Sequence, residues 1–287
     1  MSFEVFTEKA PELRCLGIKV SVDGNVLLNK RFDGECRRNI YSATKSFTSC
    51  AVGFAVQEGL LKLEERLVDA FKNDLPSKLE GHIEECTVRD LLTMRLGQPC
   101  SFLMGVDRPF YKEDDWVRLA LSRPFTDAPG DNFVYNNVGP YLAGVLVQRR
   151  SGCDLVNYLT PRLFTHISIK RPTWESDPLG YSFGAGGLFL TLSEFDNFGK
   201  FYLDDGCVNG RRLLSHSWIS ESTGEGTDSN YAYLFWRDSY GNYYASGKYF
   251  QRTIIIPNKK ALVTITAENR DDKALTALLY GEIIDAL

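Results

Sequence analysis

Near the N-terminus apolar and polar positions alternate. Ile18, Val20 and Val22 are separated by Lys19 and Ser21, and Asp23-Gly24-Asn25 leads into Val26-Leu27-Leu28. A period of two interrupted by Asp-Gly predicts a β-hairpin. From Ser42 to Glu58 the period lengthens: Phe47, Cys50, Ala51, Phe54 and Ala55 recur at helical spacing, and Gly59 closes the run. That predicts a helix, and its Ala, Gly, Ser and Cys content predicts burial on most of its sides.

Residues 61–165 read as helices joined by loops. Thr87-Val88-Arg89-Asp90-Leu91-Leu92 has the form of a capped start, and Trp116 to Leu121 forms a second short helix. Gly139-Pro140 precedes Tyr141, Leu142, Val145 and Leu146, with Gly152 beyond, which predicts a helix with proline in its first turn. The segment from Gln98 to Asp115 holds two prolines and several aromatics and reads as a lid or a long loop. Past residue 180 a helix is expected from Ser193 to Tyr202, closed by Gly206. Strands are expected at Tyr231–Trp236, Tyr243–Ala245, Gln251–Ile256 and Leu262–Thr266, joined by turns at Tyr240-Gly241-Asn242 and Pro257-Asn258-Lys259-Lys260. Ala274, Leu275, Leu278, Leu279 and Ile283 predict a C-terminal helix. Strands at both ends with helices between them predict one sheet built from both termini and interrupted by a helical insertion.

Composition adds mainly exclusions. The chain has 287 residues, 44% apolar and 24% charged, with a net charge of −4, which is globular and neither disordered nor coiled-coil. Its basic pairs are scattered, so no positive footprint for nucleic acid forms. The uncharged stretch Ser46–Gln57 is shorter than the roughly 20 residues a membrane span needs. The opening MSFEVFTEKAPELR has neither a positive n-region nor an apolar h-region, so no secretion signal is expected. Seven cysteines, at 15, 36, 50, 86, 100, 153 and 207, and histidines at 82, 166 and 216 offer no zinc spacing. The expectation is a cytoplasmic protein with reduced, mostly buried thiols, and with no metal and no cofactor.

Three places could carry chemistry. Ser42-Ala43-Thr44-Lys45 sets a hydroxyl and an ammonium on one face of the predicted helix. Burial there would lower the lysine pKa and let it take the serine proton, although Ser42 could equally be the helix N-cap. Tyr135 and Asn137, within Pro129-Gly130-x-x-Phe133-x-Tyr135-x-Asn137-x-Gly139, could exchange protons and fix a substrate carbonyl, or simply pack a loop. Gly180-Tyr181-Ser182-Phe183-Gly184, with Asp196 and His216 downstream, spells a nucleophile elbow. An elbow needs a strand before the serine and a helix after it, and Pro172, Pro178 and Gly184-Ala185-Gly186-Gly187 argue against both.

Taken together, the blocks resemble the serine β-lactamase and penicillin-binding-protein superfamily, in its class C and esterase-like branch. Tyr41 to Thr48 is similar to the nucleophile helix, and Glu58-Gly59-Leu60-Leu61-x-Leu63-x-Glu65 to its continuation. Thr87 to Met94, Gly184 to Leu188 with Phe198-Gly199, and Tyr231-x-Tyr233-Leu234-Phe235-Trp236 follow in family order. The resemblance implies an α/β (α+β) fold: a discontinuous sheet domain of residues 1–60 and 178–287, a helical domain of 61–177, and an active site between them. By resemblance Ser42 is the acylated nucleophile, Lys45 its activator and Tyr135 the proton shuttle, and whether Lys45 or Tyr135 is the base stays open. Asn137 would orient the substrate. Ser246 and Gly247 would line the site, with the Lys248 backbone N–H joining that of Ser42 in an oxyanion hole.

Two departures bear on the substrate. The family's third motif is usually Lys-Thr-Gly or His-Thr-Gly, and here it reads Ala245-Ser246-Gly247, which removes a cation that Lys248 or Arg252 could replace. Leu96-Gly97 stands where the family commonly has Ser-Gly. The expected function is therefore a serine hydrolase acting on a small ester, amide or lactam, with a small molecule or short peptide as substrate. The alternatives are a true β-lactamase, a D-amino-acid peptidase, or a non-catalytic relative that binds a ligand. Phe102, Tyr111 and Phe250 are candidate pocket walls. The oligomeric state is not read from the sequence.

Overall fold

A computed structural model of the chain describes residues 3–224 and 230–287. Met1 and Ser2 of the N-terminal stretch, and 225–229 of the expected sheet stretch, lie outside the described residues. In chain order the strands are β1 (Cys15–Val22), β2 (Asn25–Arg31), β3 (Arg38–Asn39), β4 (Phe189–Leu190), β5 (Cys207–Val208), β6 (Arg211–Arg212), β7 (Trp236–Arg237), β8 (Tyr243–Gly247), β9 (Gln251–Ile256) and β10 (Ala261–Ala267). The helices are α1 (Glu4–Lys9), α2 (Thr44–Gln57), α3 (Leu67–Ala70), α4 (Val88–Thr93), α5 (Trp116–Leu121), α6 (Val138–Ser151), α7 (Leu155–Leu159), α8 (Leu192–Leu203), α9 (His216–Thr223) and α10 (Asp272–Leu279).

The main sheet runs β2-β1-β10-β9-β8-β7 with antiparallel neighbours, so the first hairpin docks on the last strand and both termini build one sheet. Asp23 and Gly24 both hold positive φ, 48° and 78°, the geometry of a two-residue hairpin turn whose twist matches its strands. Both faces are covered. Ile18, Val20, Ile254, Ile256, Val263 and Ile265 join Phe6 of α1 and Leu275 and Leu279 of α10 in one apolar cluster. Ala245, Ile255 and Leu262 face the other way, into a larger cluster with α2, α6 and α8. Burial on both faces is why every residue of β10, Ala261–Ala267, is buried and its sequence does not alternate with charged positions.

Helix α2 is the axis of the larger cluster. Every side chain from Thr44 to Ala55 is buried, as the small-residue content predicts, and the helix packs against α6 on one side and β8 on the other. Local signals set the neighbouring elements. Thr87 and Asp90 form a capping box on α4, Thr191 and Glu194 form another on α8, and Gly152 ends α6 in the left-handed conformation.

Several expectations change. Tyr231–Trp236 is not a strand: only Trp236 and Arg237 pair with β8, and Leu234 turns the chain at φ 63°. Its aromatic residues have strand propensity because they suit half-buried surface, and here that surface is a packed turn. The helix expected from Ser193 begins at Leu192, with Thr191 as its cap. Helices α1 and α9 were not expected from the pattern, and α3 and α7 fall within the 61–165 stretch read as helices joined by loops without being singled out. The cysteines are all free, but only Cys15, Cys50 and Cys86 are buried, while Cys36 and Cys100 are exposed. Among the described residues no helix is long and apolar enough to cross a membrane, and no group of three or more His, Cys, Asp and Glu could hold a metal ion.

Candidate active site

Ser42 lies in a single 3-10 turn, Tyr41–Ala43, that runs directly into α2. It is not the helix cap, since Ala43 holds that position and no side chain caps it. The turn is held from outside: the Ile40 N–H donates to the Leu188 carbonyl at 2.9 Å, and the Tyr41 N–H donates to Asn39 Oδ1 at 2.7 Å. Tyr41 sits at φ 48°. A left-handed non-glycine residue persists only where its surroundings enforce it, and here it directs the next residue, Ser42.

One turn further on, Lys45 is 1% exposed. Its Nζ lies 3.1 Å from Ser42 Oγ and donates to the Ala185 carbonyl at 2.9 Å. Burial pushes the Lys45 pKa down, the nearby Tyr135 hydroxyl pulls it partly back, and the Arg108 guanidinium presses it down again. The Tyr135 ring centroid is 4.9 Å from Nζ. Tyr135, about ninety residues away in sequence, thus joins Ser42 around one buried amine.

The Gly184–Gly187 run supplies the floor. The Gly184 carbonyl accepts from Thr48 of α2 at 2.7 Å, and a side chain at 184 would overlap the Pro140 carbonyl oxygen of α6. Glycine is needed because the segment threads between two helices. The same packing disposes of the elbow reading. Ser182 is 4% exposed, with its N–H bonded to Gln148 Oε1 at 2.7 Å, its carbonyl to Gln148 Nε2 at 3.2 Å, and its hydroxyl to the Leu155 N–H at 3.3 Å. Asp196 is engaged by Lys19 and Thr264, and His216 pairs with Asp205 on the surface.

Asn137 occupies the cap position of α6, but Asn136 does the capping, accepting from the N–H groups of Val138 and Gly139. That leaves the Asn137 side chain to other contacts. Its Nδ2 donates to the Leu103 carbonyl at 2.9 Å, and its buried Oδ1 has no hydrogen-bond partner.

On the other side, the end of β8 meets the serine turn backbone to backbone. A side chain at Gly247 would overlap the Ile40 carbonyl oxygen and come within 3.1 Å of the Ala43 nitrogen. Ala245 is fully buried toward α2. Ser246 lies opposite Arg252 in the ladder and shares its face, the one turned toward α10, where Arg252 reaches Thr276 at 3.4 Å. Arg252 is therefore no substitute cation for this cleft, and the Ser246 side chain points to the same far face. Lys248 is exposed, with its ammonium 4.8 Å from the Tyr249 ring centroid. Phe250 is no pocket wall either, because it is buried in the cluster on the α10 side.

Sequence reading missed two groups. Tyr135 stacks on Trp236 at 5.7 Å and meets Tyr231 edge-on at 6.3 Å, and Phe133 leans on both partners. These aromatics brace the phenol, and Phe133-x-Tyr135 alternation was the only available signal. Arg108, from the loop after Leu96-Gly97, had none.

The family model described as Beta-lactamase matches residues 7–283. The chain is 26% identical over 202 residues to Protein flp of Staphylococcus aureus, a match spanning 62% of this chain and 40% of that protein. It is 27% identical over 184 residues to Acyltransferase mokF of Monascus pilosus, spanning 56% of this chain and 44% of that one. The chain thus spans less than half the length of these curated relatives. Among solved structures, the octameric penicillin-binding protein homologue from Pyrococcus abyssi superposes with a TM-score of 0.77 at 22% identity, covering 99% of this chain and 76% of the other. That likeness shows the β-lactamase/transpeptidase-like fold, and the model match spans nearly the whole chain. This chain belongs to the Beta-lactamase family.

Proposed function

We propose that the chain is a serine hydrolase that works through an acyl-enzyme at Ser42 on a small ester, amide or lactam. The observation that carries this reading is the fully buried Lys45 amine, 3.1 Å from Ser42 Oγ. An ammonium without solvent favours losing its proton. Once neutral, it donates one N–H to the Ala185 carbonyl and turns its lone pair to the Ser42 hydroxyl. Lys45 is thus the base: it takes the Ser42 proton as Oγ bonds to the substrate carbonyl carbon. The oxyanion is received by the backbone N–H groups of Ser42 and Lys248, a reading supported by the close approach of Gly247 to the serine turn at Ile40 and Ala43. Tyr135, beside Nζ, passes the proton to the leaving group as its bond breaks. Asn137, with Nδ2 tied to Leu103 and Oδ1 free, accepts an N–H of the substrate and fixes its angle. Water then takes the acyl group by the same proton path. An acceptor hydroxyl in place of that water would make the protein an acyltransferase, a reading favoured by the similarity to mokF.

The reading predicts the sign of the pH dependence. Lys45 acts when neutral and its pKa is depressed, so kcat/KM for 4-nitrophenyl acetate should rise with pH on a limb below the ordinary lysine range. Lys45→Met should lose roughly 10²- to 10⁴-fold of kcat and the limb with it. An unchanged limb in that variant would place the base elsewhere.

A further inference from the structure

The segment between Gln98 and Asp115 is stitched to the cleft. Ser101 Oγ donates to the Tyr135 carbonyl at 2.6 Å, the Asn137 N–H donates to the Phe102 carbonyl at 3.2 Å, and the Asn137 side chain donates to the Leu103 carbonyl at 2.9 Å. Beyond Leu103 the chain forms a short turn, Arg108–Phe110, with an inverted surface. The apolar Val106 and Phe110 are 72% and 82% exposed, while the Arg108 side chain is turned inward at 26%. Its guanidinium lies 4.3 Å from the Phe183 ring centroid, two residues before the carbonyl that holds Lys45.

An arginine folded inward should be paired, since five donors kept from water without acceptors are costly. Arg108 is paired only loosely. Its Nε is buried without a partner, and its ion pair with Glu175, at 3.8 Å, is too long for a hydrogen bond. Glu175 is equally loose, with Asn39 Nδ2 at 3.4 Å on its other oxygen. An under-coordinated guanidinium over the segment that holds Lys45 has the planar fork that receives a carboxylate.

We propose that Arg108 is the anion receptor of the cleft and that it selects substrates bearing a carboxylate, which it binds as a bidentate pair while Glu175 acts as a weak competitor. This rests on the hydrolase reading at Ser42. Arg108 is a specificity residue that touches a non-reacting part of the substrate. Its effect therefore falls on carboxylated substrates and spares neutral ones.

The test uses two matched pairs. In the first, mono-4-nitrophenyl adipate against 4-nitrophenyl hexanoate puts the charge on the acyl side. In the second, 3-acetoxybenzoate against phenyl acetate puts it on the leaving group. In at least one pair the wild type should prefer the carboxylate, and Arg108→Gln should cut that preference, read as the ratio of kcat/KM within the pair, roughly 10- to 100-fold, while any change made through Lys45 falls equally on both partners and cancels in the ratio. Arg108→Lys, which keeps the charge, should retain part of the preference, and Glu175→Gln should lower KM for the carboxylate alone. Equal losses on charged and neutral esters, or no preference in either pair, would overturn the proposal. Ser42→Ala separates the two readings: turnover that survives it defeats the hydrolase, while turnover that depends on Ser42 without a carboxylate preference defeats only the receptor. If turnover is too slow to measure, calorimetry of adipic acid monoanilide against hexananilide on the Ser42→Ala protein decides the matter. Tighter binding of the acid, lost in Ser42→Ala/Arg108→Gln, supports the receptor, and equal affinity overturns it.

Discussion

Ser42→Ala is expected to lower ester turnover by roughly 10⁴-fold or more, on the scale seen when a serine nucleophile is removed from a hydrolase, and to leave the fold in place. The reason lies in how little of the packing depends on this hydroxyl. Ser42 is partly exposed in its turn, and the turn is held by the Leu188 carbonyl and the Asn39 side chain. Lys45 keeps its bond to Ala185 when the serine oxygen is gone. A substitution at such a position changes stability by about 0.5 kcal/mol or less. Loss of activity with an unshifted melting midpoint separates a chemical role from a structural one, and undiminished turnover would end the acyl-enzyme reading.

Gly247→Ala is expected to damage fold and activity together. Gly247 is absent from the left-handed positions, so the requirement is steric: the new methyl would overlap the Ile40 carbonyl oxygen and crowd the Ala43 nitrogen. These are backbone atoms of the serine turn and cannot swing away as a side chain could. Relief has to come from separating β8 from that turn, at a stability cost of about 1–3 kcal/mol, typical of overpacking. The separation also moves the Lys248 N–H from its proposed oxyanion position, and a displacement near 1 Å costs about 10²-fold in rate. The check is kcat for 4-nitrophenyl acetate at a temperature where circular dichroism shows the variant folded. Full activity there would remove β8 from the oxyanion hole.

Much of the frame was legible because local chemistry and tertiary packing agree. Alternation in Ile18, Val20 and Val22 with Asp23-Gly24 specifies the hairpin, and Thr87 with Asp90 specifies the start of α4. Where the two disagree, reading along the chain failed. Tyr231 to Trp236 has strand composition, yet Tyr231 and Trp236 are spent on a cluster around Tyr135, Tyr233 and Phe235 pack elsewhere, and the backbone turns at Leu234. Helix α1 spans only six residues with Phe6 as its buried anchor, too short to show a period.

The site was legible to the same degree. Ser42 and Lys45 share one turn and were visible by spacing, whereas the approach of Tyr135 depends on α6 lying against α2. The cation that Ala245 lacks was sought along the same strand and its neighbour, at Lys248 and Arg252. Arg252 proves to face α10 and Lys248 proves to be exposed. The cation whose charge bears on Lys45 comes instead from a loop with no periodicity to read, and only its position over Phe183 reveals it.

The central claim is that Ser42 is the activated nucleophile, and covalent labelling tests it most directly. After incubation with a fluorophosphonate, peptide mass spectrometry should find a single adduct on Ser42, lost in both Ser42→Ala and Lys45→Met. An adduct on Ser182, or labelling of Ser42 that persists undiminished without Lys45, would contradict it.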